Sequence, residues 1–118
     1  MIPRILLGAG AALLCLTAAK DDPFAGRIAG KPVNCVQLQP SSGPTILDDK
    51  TIIYQPVGRR IWRTTPRGRC PLDPSATLVL FAYGSQICRN DRFRVLQPGN
   101  SIPSNICLFD RFVPYVKP

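Results

Sequence analysis

The chain has 118 residues, with 15 Lys and Arg against 7 Asp and a net charge of +8, and it contains neither His nor Glu. Without imidazole or glutamate side chains, most acid–base, nucleophilic and metal-assisted mechanisms lose the groups they normally use. The length allows one domain, and 13 prolines disfavour long helices. We therefore expect a small domain that is not an enzyme and carries no cofactor and no metal.

The N-terminal segment has the pattern of a secretory signal peptide. Arg4 precedes an unbroken apolar run over 5–16, and small residues follow up to Ala19. The run is shorter than the roughly 20 apolar residues that cross a bilayer. Leu14 stands before Cys15 where a lipidation signal has a small residue, so Cys15 is interpreted as part of the discarded segment. The sequence predicts cleavage after Ala19, export to the periplasm and no membrane span afterwards.

Four cysteines remain after that cleavage: Cys35, Cys70, Cys88 and Cys107. Four cysteines in a short exported chain predict two disulfides, for which three connectivities are open. We favour Cys70 to Cys88 and Cys35 to Cys107, because the first pair brackets one strand-containing excursion and the second ties the two ends of the domain together. A zinc site is disfavoured, since the spacing contains no CxxC pair and the chain no His.

Residues 20–31 mix charge, Gly and Pro and are interpreted as a flexible lead-in, followed by a single β domain over 32–118. From residue 33 onward, short β-rich runs alternate with Asp, Gly and Pro turns, which is typical of antiparallel strands. About six such strands and no amphipathic helix predict an all-β fold, a small antiparallel barrel or sandwich cross-linked by two disulfides. The most apolar run, 76–84, is predicted to be a central strand.

Alternation of apolar and polar residues identifies the candidate core. In the run over 92–97, Phe93 and Val95 are expected to face inward, opposite Arg92 and Arg94. The predicted core residues are Val33, Val36, Leu38, Ile46, Ile52, Tyr54, Leu78, Leu80, Phe93, Val95, Leu108 and Phe112.

The order of motifs resembles a known family. The motifs are NCVQL, TILDDKTIIY, GRRIWR, RCPLDP, GSQICRNDRFRV and CLFDRFVPY, spread from Arg27 to Tyr115. In this order they are similar to a family of small exported proteobacterial proteins known only as a domain of unknown function. The resemblance implies an exported, disulfide-linked domain and assigns no catalytic residues.

Five arginines lie within eleven residues, with Trp62 among them: Arg59, Arg60, Arg63, Arg67 and Arg69. Guanidinium groups match the geometry of phosphate and carboxylate, so this cluster is a candidate site for an anionic envelope component such as lipopolysaccharide or peptidoglycan, or for nucleic acid outside the cytoplasm. The alternative is a solvated basic edge that prevents strand-to-strand aggregation. On a strand, Arg63 falls on the face opposite Arg60 and Trp62.

The loop over 65–75 supports a different hypothesis. It places Arg67 and Arg69 beside Cys70 in a Pro-rich segment, which is one way to present a rigid loop to a trypsin-like protease. The sequence therefore leaves protease inhibition as an alternative function, and an enzyme of unrecognised type as a second alternative.

Three further polar motifs are interpreted as structural. Asp48 and Asp49 predict a turn in which a carboxylate accepts backbone N–H groups, and Asn90 with Asp91 predicts a second turn, with weak calcium binding as its alternative. Ser85 has no His and no GxSxG setting and is not expected to act as a nucleophile.

Overall fold

The structure, a computed structural model, describes residues 22–39, 42–56, 60–81 and 84–118. All regular elements in these ranges are short antiparallel strands, which confirms the all-β prediction. The predicted signal peptide lies outside them. The described ranges contain ten strands where the sequence predicts about six, because two-residue and three-residue strands form between the turns. They are β1 (Ile28–Ala29), β2 (Cys35–Gln37), β3 (Thr45–Ile46), β4 (Ile52–Tyr54), β5 (Arg60–Thr64), β6 (Thr77–Leu80), β7 (Gln86–Cys88), β8 (Arg92–Leu96), β9 (Cys107–Leu108) and β10 (Val113–Val116).

The strands form three antiparallel sheets. The largest has the order β1-β10-β5-β4-β3, a second consists of β2 and β7, and the third has the order β6-β8-β9. In the described part of the chain these sheets do not close into a barrel, and the arrangement is that of a sandwich. Within the same ranges, no helix is long and apolar enough to span a membrane.

One apolar core receives side chains from all three sheets. Tyr54 from β4, Ile87 from β7 and Phe93 from β8 are each at most 1% exposed. The ring of Phe93 stacks on that of Phe109 at 4.3 Å between centroids. Burial of such side chains stabilises the fold by about 1.5 to 3 kcal/mol each.

Most predicted core residues are buried, and the exceptions lie at its rim. Those buried are Val36, Ile46, Ile52, Tyr54, Phe93, Val95 and Phe112, while Val33, Leu38, Leu78, Leu80 and Leu108 are partly buried. The prediction missed Ile61, Leu72, Ile87, Cys107 and Phe109. Several of these lie in runs too short or too interrupted to show alternation.

The apolar run over 76–84 is not a central strand, so that prediction is wrong. Its strand, β6, pairs only with β8 and forms an edge of the three-stranded sheet, in which β8 is central. Leu78 and Leu80 pack against the core, which accounts for the apolar character of the run. The apolar content of a strand indicates that one of its faces is buried, and it does not indicate how many strands pair with it.

The favoured disulfide pairing is also wrong. Cys35 is bonded to Cys88, and Cys70 is bonded to Cys107. The reason is strand register, since β2 pairs with β7 so that Cys35 lies opposite Cys88, with their Cα atoms 3.9 Å apart. The second disulfide links the loop after β5 to β9.

The segment predicted as a flexible lead-in is paired with the sheet. β1 lies within it and adds to the edge of β10, and the N–H of Gly30 donates to the carbonyl of Pro114 at 2.8 Å. Upstream, the ring of Phe24 packs on Tyr115 with centroids 4.5 Å apart. Regular structure therefore begins before the predicted boundary at Pro32.

Candidate anion-binding groove

An open groove of about 570 Å³ lies at one end of the five-stranded sheet, next to the segment between β9 and β10. Three arginines and one aspartate are among its lining residues. The lining residues are Pro32, Arg63, Thr64, Thr65, Arg89, Asp110, Arg111, Val113 and Tyr115. We call this site the arginine groove.

Arg63 reaches the groove from β5. Strand alternation puts Trp62 and Thr64 on the core side of β5 and Arg63 on the opposite side. Tyr115 of β10 lies on the same face of the sheet as Arg63. Nη1 of Arg63 donates to the hydroxyl of Tyr115 at 3.4 Å, and its Cζ lies 5.4 Å from the ring centre of Phe24. The guanidinium is thus held by an aromatic face and a hydroxyl, and within the described residues no carboxylate hydrogen-bonds to it.

Asp110 contacts the side chain of Arg89 and the backbone of Arg111. Nε of Arg89 lies 3.3 Å from Oδ1 of Asp110, and the backbone N–H of Arg111 donates to the same oxygen at 2.8 Å. The Arg89 Nε is buried, and its contact with Asp110 is electrostatic without hydrogen-bond alignment. The hydroxyl of Thr64 donates to the Asp110 carbonyl at 3.2 Å, which ties this segment to β5.

A tight turn after β7 directs Arg89 into the groove. The N–H of Asp91 donates to the Cys88 carbonyl at 3.0 Å, and the Cys88 N–H donates to Oδ2 of Asp91 at 2.7 Å. Asn90 adopts a φ of 73°, the left-handed conformation that Asn tolerates better than most residues. The predicted Asn90-Asp91 turn is confirmed, and the Asp91 carboxylate stabilises it by accepting the Cys88 N–H.

The charge balance of the groove favours an anionic ligand. One lining carboxylate faces three guanidinium groups, and that carboxylate already accepts a backbone N–H. Guanidinium groups bind phosphate and carboxylate oxygens through paired N–H donors. Arg63 comes from β5 and Arg89 from the turn after β7, so the backbone positions of these two residues are fixed by hydrogen bonding.

The arginine cluster predicted from the sequence is divided by the fold. Arg60 is exposed and lies over the Trp62 ring with its Cζ 5.4 Å from the centroid, on the face opposite Arg63. Arg67 and Arg69 are exposed in the following loop, and Arg59 lies outside the described residues. Among the four members of the predicted cluster that the structure describes, Arg63 alone lines the groove.

The loop over 65–75 lies against β9. The N–H of Arg67 donates to the Leu108 carbonyl at 3.0 Å, and its Nη2 donates to the side-chain oxygen of Asn90. Both contacts hold Arg67 against the body of the protein, whereas Arg69 is exposed beside Cys70.

Asp48 and Ser85 each have a hydrogen-bond partner. Oδ1 of Asp48 accepts the N–H of Lys50 at 2.9 Å, which confirms the predicted turn. The same hydrogen bond lowers the pKa of Asp48 below its ordinary value of 3.8, because it favours the ionised form. The hydroxyl of Ser85 lies 3.4 Å from the amide oxygen of Gln37.

Sequence reasoning missed Arg89 and Arg111. Arg89 stands beside the predicted Asn90-Asp91 turn, and Arg111 stands between Asp110 and Phe112, outside any run of basic residues. Their proximity to Arg63 arises from pairing of β10 with β5 and from the turn after β7, neither of which a local pattern reports. The only local signal was the turn motif, which places Arg89 on the surface.

Comparisons with family models, with curated proteins and with solved structures gave no match to this chain. The function of this chain is therefore inferred from the geometry of the groove.

Proposed function

We propose that this protein is an exported, non-catalytic binding module that holds anionic groups of a cell-envelope polymer in the arginine groove. The observation that carries the proposal is the convergence of Arg63, Arg89 and Arg111 on one cavity with a single carboxylate. Guanidinium groups attract the phosphate and carboxylate groups of an anionic polymer through their charge and their directed N–H donors.

Export and the periplasm as its destination belong to the same proposal. The apolar run after Arg4 and the small residues before Lys20 support a signal peptide. Two disulfides support an oxidising compartment, because cytosolic thiols are kept reduced. The resemblance to small exported proteobacterial proteins points in the same direction.

The experiment is salt-dependent retention of the oxidised protein on a phosphate-bearing matrix. R63Q/R111Q removes two positive charges from the groove, and R60Q/R69Q removes two from outside it. At about 0.15 M salt, charges still act over about 8 Å, so a local site remains measurable. We expect the groove variant to elute at clearly lower salt than the matched control.

Elution of the two variants at the same salt concentration would show that the groove binds anions no better than the rest of the basic surface, and it would contradict the proposal. Circular dichroism of each variant provides the folding control, since Arg63 also contacts Phe24 and Tyr115.

A further inference from the structure

A second cavity, of about 480 Å³, lies on the outward face of the three-stranded sheet and shares no lining residue with the arginine groove. Its lining residues are Phe81, Asn90, Asp91, Arg92, Arg94 and Ile106. We call it the β8 cavity.

The alternation of β8 builds this face. Phe93 and Val95 point into the core and are fully buried. Arg92 and Arg94 therefore point outward, side by side on the same face of the strand. Their position is fixed by pairing on both sides, with β6 and with β9.

Two large apolar side chains flank these arginines. Phe81 follows β6 and is 41% exposed, and Ile106 precedes β9 and is 46% exposed. The N–H of Phe81 donates to the Arg92 carbonyl at 3.2 Å, which continues the strand pairing up to this residue. Exposed apolar side chains that line one cavity together point to a ligand with an apolar part.

The polar groups of the cavity favour a negative charge on that ligand. Asp91 already accepts the Cys88 N–H at 2.7 Å, and Arg94 donates to the Ser104 carbonyl at 3.3 Å. Two guanidinium groups thus face one carboxylate that is engaged in its own turn. The cavity combines excess positive charge with apolar walls.

We infer that the β8 cavity binds an anionic amphiphile, a carboxylate or phosphate head group on an alkyl chain. The head group lies at Arg92 and Arg94, and the chain lies between Phe81 and Ile106. Guanidinium groups recognise either head group, and the apolar walls remove alkyl surface from water. This site is separate from the arginine groove, and either site can fail its test without the other.

The test is an NMR titration of the ¹⁵N-labelled oxidised protein with sodium decanoate below its micelle-forming concentration. Decanol provides the same chain without charge, octyl phosphate provides the other head group, and inorganic phosphate provides charge without a chain. We expect saturable shifts of the Arg92, Arg94 and Ile106 amides with decanoate and octyl phosphate, and much weaker effects with decanol or phosphate.

Three variants locate the site. R92Q/R94Q and I106S should each weaken decanoate binding at least about tenfold, which corresponds to about 1.4 kcal/mol. R60Q/R69Q changes the net charge as much as R92Q/R94Q does and should bind decanoate normally. Unchanged binding by R92Q/R94Q, or no saturable shift in the parent protein, would overturn the inference.

A vesicle measurement separates the amphiphile from a membrane surface. Binding to phosphatidylglycerol vesicles without binding to monomeric decanoate or octyl phosphate would overturn the inference and assign this face to a bilayer instead.

Discussion

The guanidinium of Arg63 lies over the ring of Phe24, with Cζ 5.4 Å from the ring centre. The contact joins the segment before β1 to the middle of the five-stranded sheet. Because Phe24 also packs on Tyr115, whose hydroxyl accepts a hydrogen bond from Arg63, the three side chains position one another at the wall of the arginine groove. Residues ahead of the predicted domain boundary therefore contribute to the candidate site.

The first prediction concerns Phe24. F24L keeps an apolar side chain and removes the aromatic face, which is worth about 0.5 to 1 kcal/mol to a nearby guanidinium at an exposed site. We expect the affinity for a phosphate-bearing matrix to fall by about twofold to fivefold while the protein stays folded. The measurements are salt elution and urea unfolding. An unchanged elution profile would show that Phe24 does not position Arg63.

The second prediction concerns disulfide connectivity. Trypsin should leave Cys70 and Cys88 on one peptide, 70–89, since no Lys or Arg lies between them. The pairs Cys35–Cys88 and Cys70–Cys107 therefore predict one species of three linked peptides, 28–50, 70–89 and 95–111. Chymotryptic cleavage near Phe81 should leave the Cys88 fragment attached to the peptide that contains Cys35. A 70–89 peptide with an internal disulfide would contradict the structure.

The third prediction is the contribution of each disulfide to stability. The bonds close loops with sequence separations of 53 and 37, and on a chain-entropy model each raises the free energy of unfolding by about 4 kcal/mol. Domains of this size have a total of about 5 to 15 kcal/mol. C35A/C88A and C70A/C107A should each unfold at much lower urea concentration than the parent protein. A midpoint unchanged by either variant would contradict the predicted stabilisation.

The fourth prediction concerns Asn90, whose φ of 73° is strained for most side chains. N90G and N90A both remove the acceptor for Arg67, but only glycine adopts this conformation without strain. We expect N90A to be less stable than N90G by about 1 kcal/mol in urea unfolding. Equal stability, or a more stable N90A, would show that the left-handed turn is not formed.

The fifth prediction concerns pH. The pKa of Asp48 is lower in the folded protein than its ordinary value of 3.8, chiefly because the ionised form accepts the Lys50 N–H. Its contribution to stability is therefore present above pH 3.8 and is lost as the pH falls through the folded pKa. D48N keeps a side-chain acceptor without the titration. We expect the difference in unfolding free energy between parent and D48N to shrink in acid, and a constant difference would contradict this.

Local patterns predicted much of the secondary structure and little of the tertiary pairing. Alternation correctly identified Phe93 and Val95 as core residues, and the Asp48 turn follows from local hydrogen bonding. The partner of each strand depends on long-range register, which a single sequence does not report. For this reason the disulfide pairing was predicted wrongly, and β6 was predicted as a central strand although it lies at the edge of its sheet.

The candidate site was likewise predicted from local sequence only in part. The sequence indicated an abundance of arginine and identified Arg63, but it grouped arginines by their distance along the chain. The fold groups Arg63 with Arg89 and Arg111 instead, because a turn and two paired strands end at the same place. Binding sites built from several segments require the topology before their members can be named.

The most direct test of the arginine groove follows the side-chain Nε–H signals of arginine while the ¹⁵N-labelled oxidised protein is titrated with soluble polyphosphate. The proposal predicts saturable shifts at Arg63, Arg89 and Arg111 that are lost in R63Q/R111Q and retained in R60Q/R69Q. Shifts spread evenly over the exposed arginines, or confined to Arg67 and Arg69, would contradict it.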